Sequence, residues 1–220
     1  KEPEFLKEGL VAYYPFNGNA KDESGKNHHA TVNGGATLTA DRFGNASKAY
    51  SFDGIDDSID VDDTLNILLD SFTYSIWVQP DTYQDGKTWY PFVFRAVVPV
   101  DNKILNWFGM SYRENPRSLR LHTSGSDWID STRGVVAFNQ WSHFIGTYDG
   151  TTAKIYLNGQ LVAEGTTSPA PPSTSYKFSI GRDYSITPEF LSGLVDDVRI
   201  YNRALSAEEV KALYEFEKAN

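Results

Sequence analysis

The sequence predicts an all-β fold closed by one short helix, and three observations carry that expectation. Aromatic residues make up 14% of the 220 positions, with 13 Tyr, 13 Phe and 5 Trp, types that suit a pleated, half-buried surface. The chain is punctuated by 17 Gly and 10 Pro, as many short strands joined by turns require. Short apolar or period-two runs alternate with Gly, Asn, Asp or Pro clusters up to the last dozen residues, the patterning of strands rather than helices.

In chain order, strands are expected near 10–16, 48–53, 57–62, 72–79, 91–98, 104–112, 118–123, 135–138, 141–148, 153–158, 160–164, 176–181 and 193–202. In WSHFIGTYDGTTAKIYLNGQLVAEG the pairs Asp149-Gly150 and Asn158-Gly159 each separate β-rich runs. Such dipeptides supply the positive φ angles of tight turns, so the segment reads as a three-stranded meander. Alternation puts Ile155 and Leu157 on one face and Lys154, Tyr156 and Asn158 on the other. Trp77 and Trp141 fall inside strand patterns and are expected in the core. Only the C-terminus reads as helix: Ser206-Ala-Glu-Glu209 forms a capping box, and Val210, Leu213 and Tyr214 follow at helical spacing. The Pro/Ser-rich TTSPAPPSTS, 166–175, sits between strands of one pattern and reads as a surface loop, so residues 1–220 are expected to form a single domain.

A formal charge of −9 argues against nucleic-acid or anionic-membrane partners, which demand a surplus of Lys and Arg on some face. Cysteine is absent, which excludes disulfides and thiolate zinc sites. No apolar run approaches the roughly 18 residues of a membrane span, so no membrane insertion is expected. The opening KEPEFLKEGL lacks the apolar stretch of a signal peptide.

The order of five motifs is specific where each alone is weak: LVAYYPFNGNAKDESGKNHHA, YSFDGIDDSIDV, FTYSIWVQP, WSHFIGTYDGTTAKIYLNGQLV and GLVDDVRIYNRALSAEEV. Together they resemble the laminin-G-like, concanavalin A-type jelly rolls over nearly the whole chain. The resemblance implies two antiparallel sheets packed face to face, a jelly-roll sandwich, with the first and last strands adjacent. It leaves function open among lectins, carbohydrate-binding modules, adhesion domains, pentraxins and glycoside hydrolases.

The chemistry concentrates in GLVDDVRIYNRALS, 193–206. Regular alternation turns Leu194, Asp196, Val198 and Ile200 inward and Val195, Asp197, Arg199 and Tyr201 outward. An inward carboxylate costs several kcal/mol unless it is paired, hydrogen-bonded or bound to a cation. With the first and last strands adjacent, the candidate partners are Asn17, Asp22, Ser24 and Asn27 in the opening loop. Two solutions fit. Asn17, Asp22, Asn27 and Asp196 could hold a structural Ca²⁺, which takes six to eight oxygens and which proteins resembling this one often carry. Alternatively, Asp196 accepts amide hydrogen bonds from that loop while Asp22 caps its own turn. Asp197 is expected to pair with Arg199 or a neighbouring strand's cation. Asp56, Asp57, Asp60, Asp62 and Asp63 make an acidic turn whose spacing matches no metal loop.

No catalytic residue is assigned. Retaining glycosidases place two carboxyl groups about 5–5.5 Å apart, and the E-x-D-x-x-E strand run of the jelly-roll glucanases that this fold resembles does not occur. Asp196 and Asp197 are expected to point opposite ways. Glu23, Glu114, Glu164 and Glu189, the only glutamates between the two ends, read as lying in or beside loops. His28-His29, His122 and His143 lack metal-ligand spacing and read as satisfied polar residues. Asn45-Ala46-Ser47 is a glycosylation sequon, relevant only in a eukaryotic source.

Aromatic residues outside clear core strands are the remaining signal: Tyr83, Trp89, Tyr90, Trp107, Trp128 and Tyr184, with Arg95, Arg113, Asp127 and Arg182 nearby. Sugar rings stack their C–H faces on such side chains while charged groups bond the hydroxyls. A non-catalytic module binding a polysaccharide or glycan, secreted, periplasmic or at the cell surface, is the leading expectation. A protein–protein adhesion module is the alternative, and a glycoside hydrolase comes third.

Overall fold

A computed structural model describes residues 2–61, 71–82, 89–96, 104–111, 117–123, 127–168, 177–183 and 189–219. Fifteen strands occur in it: β1 (Leu10–Tyr14), β2 (Ala30–Asn33), β3 (Thr37–Thr39), β4 (Ala49–Asp53), β5 (Ser58–Val61), β6 (Phe72–Pro80), β7 (Trp89–Ala96), β8 (Ile104–Ser111), β9 (Ser118–His122), β10 (Trp128–Asp130), β11 (Ser142–Tyr148), β12 (Thr152–Leu157), β13 (Gln160–Thr166), β14 (Lys177–Ile180) and β15 (Ser192–Tyr201). A short 3₁₀ turn, Glu4–Lys7, precedes them and the helix α1 (Ala207–Lys218) follows. The strands form two antiparallel sheets, ordered β13-β12-β11-β6-β15-β4-β3 with β1 also on β15, and β10-β9-β8-β7-β14-β5-β2. The expected jelly-roll sandwich is therefore present, and the first and last strands do pair.

The meander forms as the turn residues dictate. Asn158 and Gly159 both have positive φ, 50° and 76°, the requirement of a two-residue turn whose twist matches its strands. Ile155 enters the core between the sheets, whereas Tyr156 packs on the opposite side. Several elements differ from expectation. The run 135–138 is not a strand: Val136 and Phe138 pack on the core from a loop. The polar edge strands β2 and β3 and the three-residue β10 carry too few apolar residues to show in the sequence. Trp141 is only half-buried and sits just before β11.

Two apolar layers hold the molecule. The main core lies between the sheets and includes Phe52, Tyr74, Ile76, Phe92, Phe108, Phe144, Val195, Val198 and Ile200. The second lies outside the eight-stranded sheet, where Val210 and Leu213 of α1 meet Ile145, Tyr156 and Tyr201. Ser206 accepts from Glu209 N at 3.2 Å and Glu209 accepts from Ser206 N at 2.8 Å, so the capping box closes as its sequence requires.

Candidate functional site

The acidic pair sits where β15 changes partner. Ser192–Val195 pair with β4 and Val198–Tyr201 with β1, while on the other side Asp196 opposes Trp77 and Arg199 opposes Ser75. Three steps along β15 thus match two along β6, a β-bulge, and Asp197 takes the extra position with φ 40°. The bulge reverses the alternation. Val195, Val198 and Ile200 face the core, and Asp196 turns to the outer, helix-covered face with Arg199 and Tyr201. The expectation that Asp196 shares a face with Val198 and Ile200 is corrected here, because regular alternation cannot register an inserted residue.

Both carboxylates converge on one guanidinium, that of Arg42 in the β3–β4 loop. Arg42 Nη1 pairs with Asp196 Oδ2, Nη2 lies 2.8 Å from Asp197 Oδ2, and Nη2 also donates to the Glu217 carbonyl at 2.6 Å. The cation sits 4.5 Å from the Trp77 ring centroid and 4.6 Å from that of Phe43. Asp197 Oδ1 accepts from the Tyr13 hydroxyl at 2.7 Å. So the two acids do not point opposite ways, and the partner of Asp197 is Arg42 rather than Arg199. Burial and the neighbouring Asp197 charge push the Asp196 carboxyl up to about 8 against the pull of Arg42, since one guanidinium serves two acids.

A second buried network adjoins it under α1. Arg199 Nε donates to Glu217 Oε1 at 2.6 Å, Nη1 pairs with Glu2 at 2.5 Å, and Trp77 Nε1 donates to Glu217 Oε2 at 2.9 Å. Burial raises Glu217 to about 7. His143 stacks on Trp77 at 4.8 Å, and burial, followed by the charges of Arg42 and Arg199, holds it well below the usual imidazole value and therefore neutral. Its Nε2 lies 2.7 Å from Ser75 Oγ and 3.3 Å from Glu217 Oε2. One nitrogen meets both partners and all three residues are buried, so this is not the relay of a serine nucleophile, whose histidine uses a different nitrogen for each neighbour.

Of the residues expected to hold Ca²⁺, Asp22, Asp196 and Asn17 are engaged by donors of the protein itself. Asp22 Oδ1 accepts from Tyr13 N and Ser24 N, and Oδ2 from Ser24 Oγ and His28 N, all within 2.8–3.0 Å. Burial raises this carboxyl, but the donors outweigh it and hold it below the ordinary aspartate value. Asp196 is neutralised by Arg42 and by the Asp197 amide at 2.8 Å. Asn17 bonds Glu23 and Lys48, and Asn27 is an exposed turn residue with φ 64°. His29 Nδ1 accepts from Asp22 N at 3.1 Å, a satisfied polar role. At the β4–β5 turn, Asp53, Asp56 and Asp57 bring carboxylate oxygens within 4.8 Å of one another, with Asp57 accepting from Asp53 N at 2.8 Å. Asp62 and Asp63 lie outside the described residues.

The outward face of the seven-stranded sheet presents a different surface. Leu119 and Leu121 enter the core, so the intervening Arg120 and the next residue, His122, face out. Trp128 of β10 is in register with His122, and Asp130 with Arg120. Arg120 is held in a fork by Asp130, with Nε–Oδ1 and Nη2–Oδ2 both 2.7 Å, and its guanidinium lies 4.7 Å from the Trp128 ring centroid. The His122 ring lies 5.2 Å from the same indole. Trp128 remains 44% exposed. A register row crosses the sheet from here through His122, Trp107, Phe94 and Ser179 to Asp60, which accepts from Ser179 Oγ at 2.7 Å and faces Arg182 at 3.5 Å.

The profile of the concanavalin A-like lectin/glucanases superfamily matches residues 52–211. The chain belongs to this superfamily. No curated protein matches it. Among solved structures, domain 4 of AbnA, a GH43 extracellular arabinanase from Geobacillus stearothermophilus determined with arabinotriose, superposes with a TM-score of 0.70 at 24% identity, over 93% of this chain and 98% of that one. The binding domain of Paraclostridial Mosquitocidal Protein 1 gives 0.71 at 20%, over 96% and 53%. A Trypanosoma rangeli sialidase bound to a difluoro-nononic acid gives 0.69 at 18%, over 96% of this chain but 33% of that enzyme. At these identities the likeness is one of fold.

Within this superfamily member the expected ligand residues separate. Trp128 is half-exposed on the outward face. Tyr90 is corrected: it is fully buried, 6.3 Å from Phe138, and cannot meet a ligand. Asp127, beside Trp128, accepts from Ser168 N at 2.9 Å and fastens a loop. The side chains of Trp89, Arg95 and Trp107, and the whole of Tyr83, Arg113, Glu114 and Tyr184, lie outside the described residues. Glu164 is in β13 rather than a loop, 3.4 Å from Lys154. Sequence reasoning missed Arg42 and Arg120. The signal for the first was the unpaired acid in β15, and for the second the alternating SLRLH with Trp-Ile-Asp ten residues on.

Proposed function

We propose that the protein is a non-catalytic glycan-binding module, acting outside the cell, that takes a sugar on the outward face of the seven-stranded sheet at Trp128. One observation carries this reading: a half-exposed indole braced from below by a guanidinium that a carboxylate holds at two points. That brace fixes the ring plane before ligand arrives, which lowers the ordering cost of stacking a sugar's C–H face on it. His122 and Asp130 border the ring and offer polar groups for hydroxyls. Support also comes from the arabinanase domain, which shares the fold and was determined with arabinotriose. Non-catalytic status is part of the proposal: the buried acidic pair Asp196 and Asp197 is engaged by Arg42.

A glycan array probed with the intact chain and with Trp128→Ala tests it. The chain should bind at least one oligosaccharide class and the variant should lose it; an array blank for both would remove the proposal. Protein–protein adhesion is the second reading, favoured by one comparison, a botulinum neurotoxin binding domain determined with rat synaptotagmin II, at 14% identity and a TM-score of 0.73.

A further inference from the structure

A cavity of about 200 Å³ opens on the other sheet, between the end of β1, the β3–β4 loop and the β15 bulge. Asp196, Asp197 and Arg42 form its floor, Asn17, Asn45 and Lys48 its rim, and Phe43, 46% exposed, stands at its side. Three features suggest a ligand rather than a gap in packing. Phe43 presents an aromatic face at the mouth, already packed against the Arg42 cation. Asp197, Phe16 and Ser47, at or next to the lining, all hold left-handed backbone, with φ 40°, 50° and 60°; such strain gathers where structure serves a site. The shape is polar and roomy enough for one small molecule, not for an apolar one.

The lining selects the ligand class. Carboxylate and amide oxygens, guanidinium and ammonium donors and one aromatic face together match a sugar ring, whose hydroxyls both give and accept and whose C–H face stacks. Asp41 and Asp197 balance Arg42 and Lys48 while the Asp196 carboxyl is raised to about 8, so the site has no net positive charge with which to draw an anionic sugar. We propose that this cavity is a second sugar subsite, taking a single neutral unit of a glycan, on the opposite sheet from Trp128. The inference rests on the glycan-binding reading and adds a second contact, so that one molecule can engage two chains or two parts of one chain.

The test is an amide-shift NMR titration of the intact ¹⁵N-labelled chain. The probes are arabinotriose, neutral trisaccharides of glucose, galactose, xylose and mannose, and sialyllactose as the anionic control. With a neutral sugar, shifts should appear at residues 41–48 and 196–197, persist in Trp128→Ala, and weaken at least tenfold in Phe43→Ala, a surface change that leaves the fold intact. Sialyllactose should leave that region unmoved. Shifts confined to residues 120–130 would overturn the second subsite while sparing the Trp128 surface. Shifts at 41–48 unaffected by Phe43→Ala, or produced equally by sialyllactose, would also overturn it. Binding at 41–48 that survives Trp128→Ala with no response at 120–130 would uphold the cavity and remove the Trp128 surface instead.

Discussion

Tyr13 on the first strand donates its hydroxyl to Asp197 on the last at 2.7 Å, 184 positions away in sequence. The same residue gives its amide to Asp22 at 2.9 Å, so the opening loop and the closing strand are joined through one tyrosine. Arg42 supplies the positive charge that lets the acidic pair stay inside.

Arg42→Met should therefore be severely destabilising. It strands two buried carboxylates, and breaking a buried pair from one side costs about 3–5 kcal/mol. For a chain of this size that lowers the melting midpoint by roughly 10 °C, read by scanning calorimetry. A change within 1 °C would show that the acids are neutralised in some other way.

Stability should fall as pH rises from about 4 to about 8. Asp196 and Glu217 are raised in the folded state to about 8 and about 7, above ordinary values of roughly 4 in an unfolded chain. Between those limits these two acids bind more protons in the folded state than in the unfolded one, so each pH step upward favours unfolding, an effect that His143, held neutral in the fold, opposes only below about 6.5. Asp22 and Asp41 are lowered and work oppositely, contributing stability that is lost as pH drops through and below 4. The melting midpoint should thus be higher at pH 5 than at pH 8, and Asp196→Asn should flatten that slope. A midpoint that rises steadily from pH 5 to 8 would contradict the protonation pattern.

Asp22→Ala should destabilise the protein equally with EDTA and with added calcium. Four donors lose their acceptor together, and leaving buried amides unpaired costs about 1–3 kcal/mol each, softened where water enters. A melting curve that responds to calcium in the parent chain and not in Asp22→Ala would restore a cation to the opening loop.

Ser206→Ala should cost about 1 kcal/mol, the usual worth of an N-cap, or about 2–4 °C. Because α1 roofs the Arg199–Glu217 network, its loosening should also raise hydrogen exchange at Trp77 and His143. Protected amides there would separate the helix from the network.

Much of the fold was legible because its signals are local. Asn158-Gly159 encodes its turn, Ser206 and Glu209 encode the helix start, and the LVAYY and GLVDDVRIY runs encode the first and last strands. The bulge was not, since alternation assumes one residue per step and an insertion at Asp197 flips every side chain before it. Arg42 looked like a polar loop residue in DRFGNAS; only the demand of a buried acid for a counterion pointed to such a partner. Glu217 was readable in principle as an acid on the Val210–Leu213 stripe, seven residues after Val210. The Trp128 surface was half visible, its tryptophan flagged by position and its brace hidden in the pairing of β9 with β10.

Calorimetric titration of the intact chain and Trp128→Ala with whichever neutral oligosaccharide the array selects most directly tests the glycan-binding function. The parent chain should bind and the variant should bind at least tenfold more weakly, since losing one stacked ring forfeits about 1–3 kcal/mol by analogy with other aromatic stacking platforms. Equal affinity in the two proteins would contradict the assignment of the open sheet face as the binding surface.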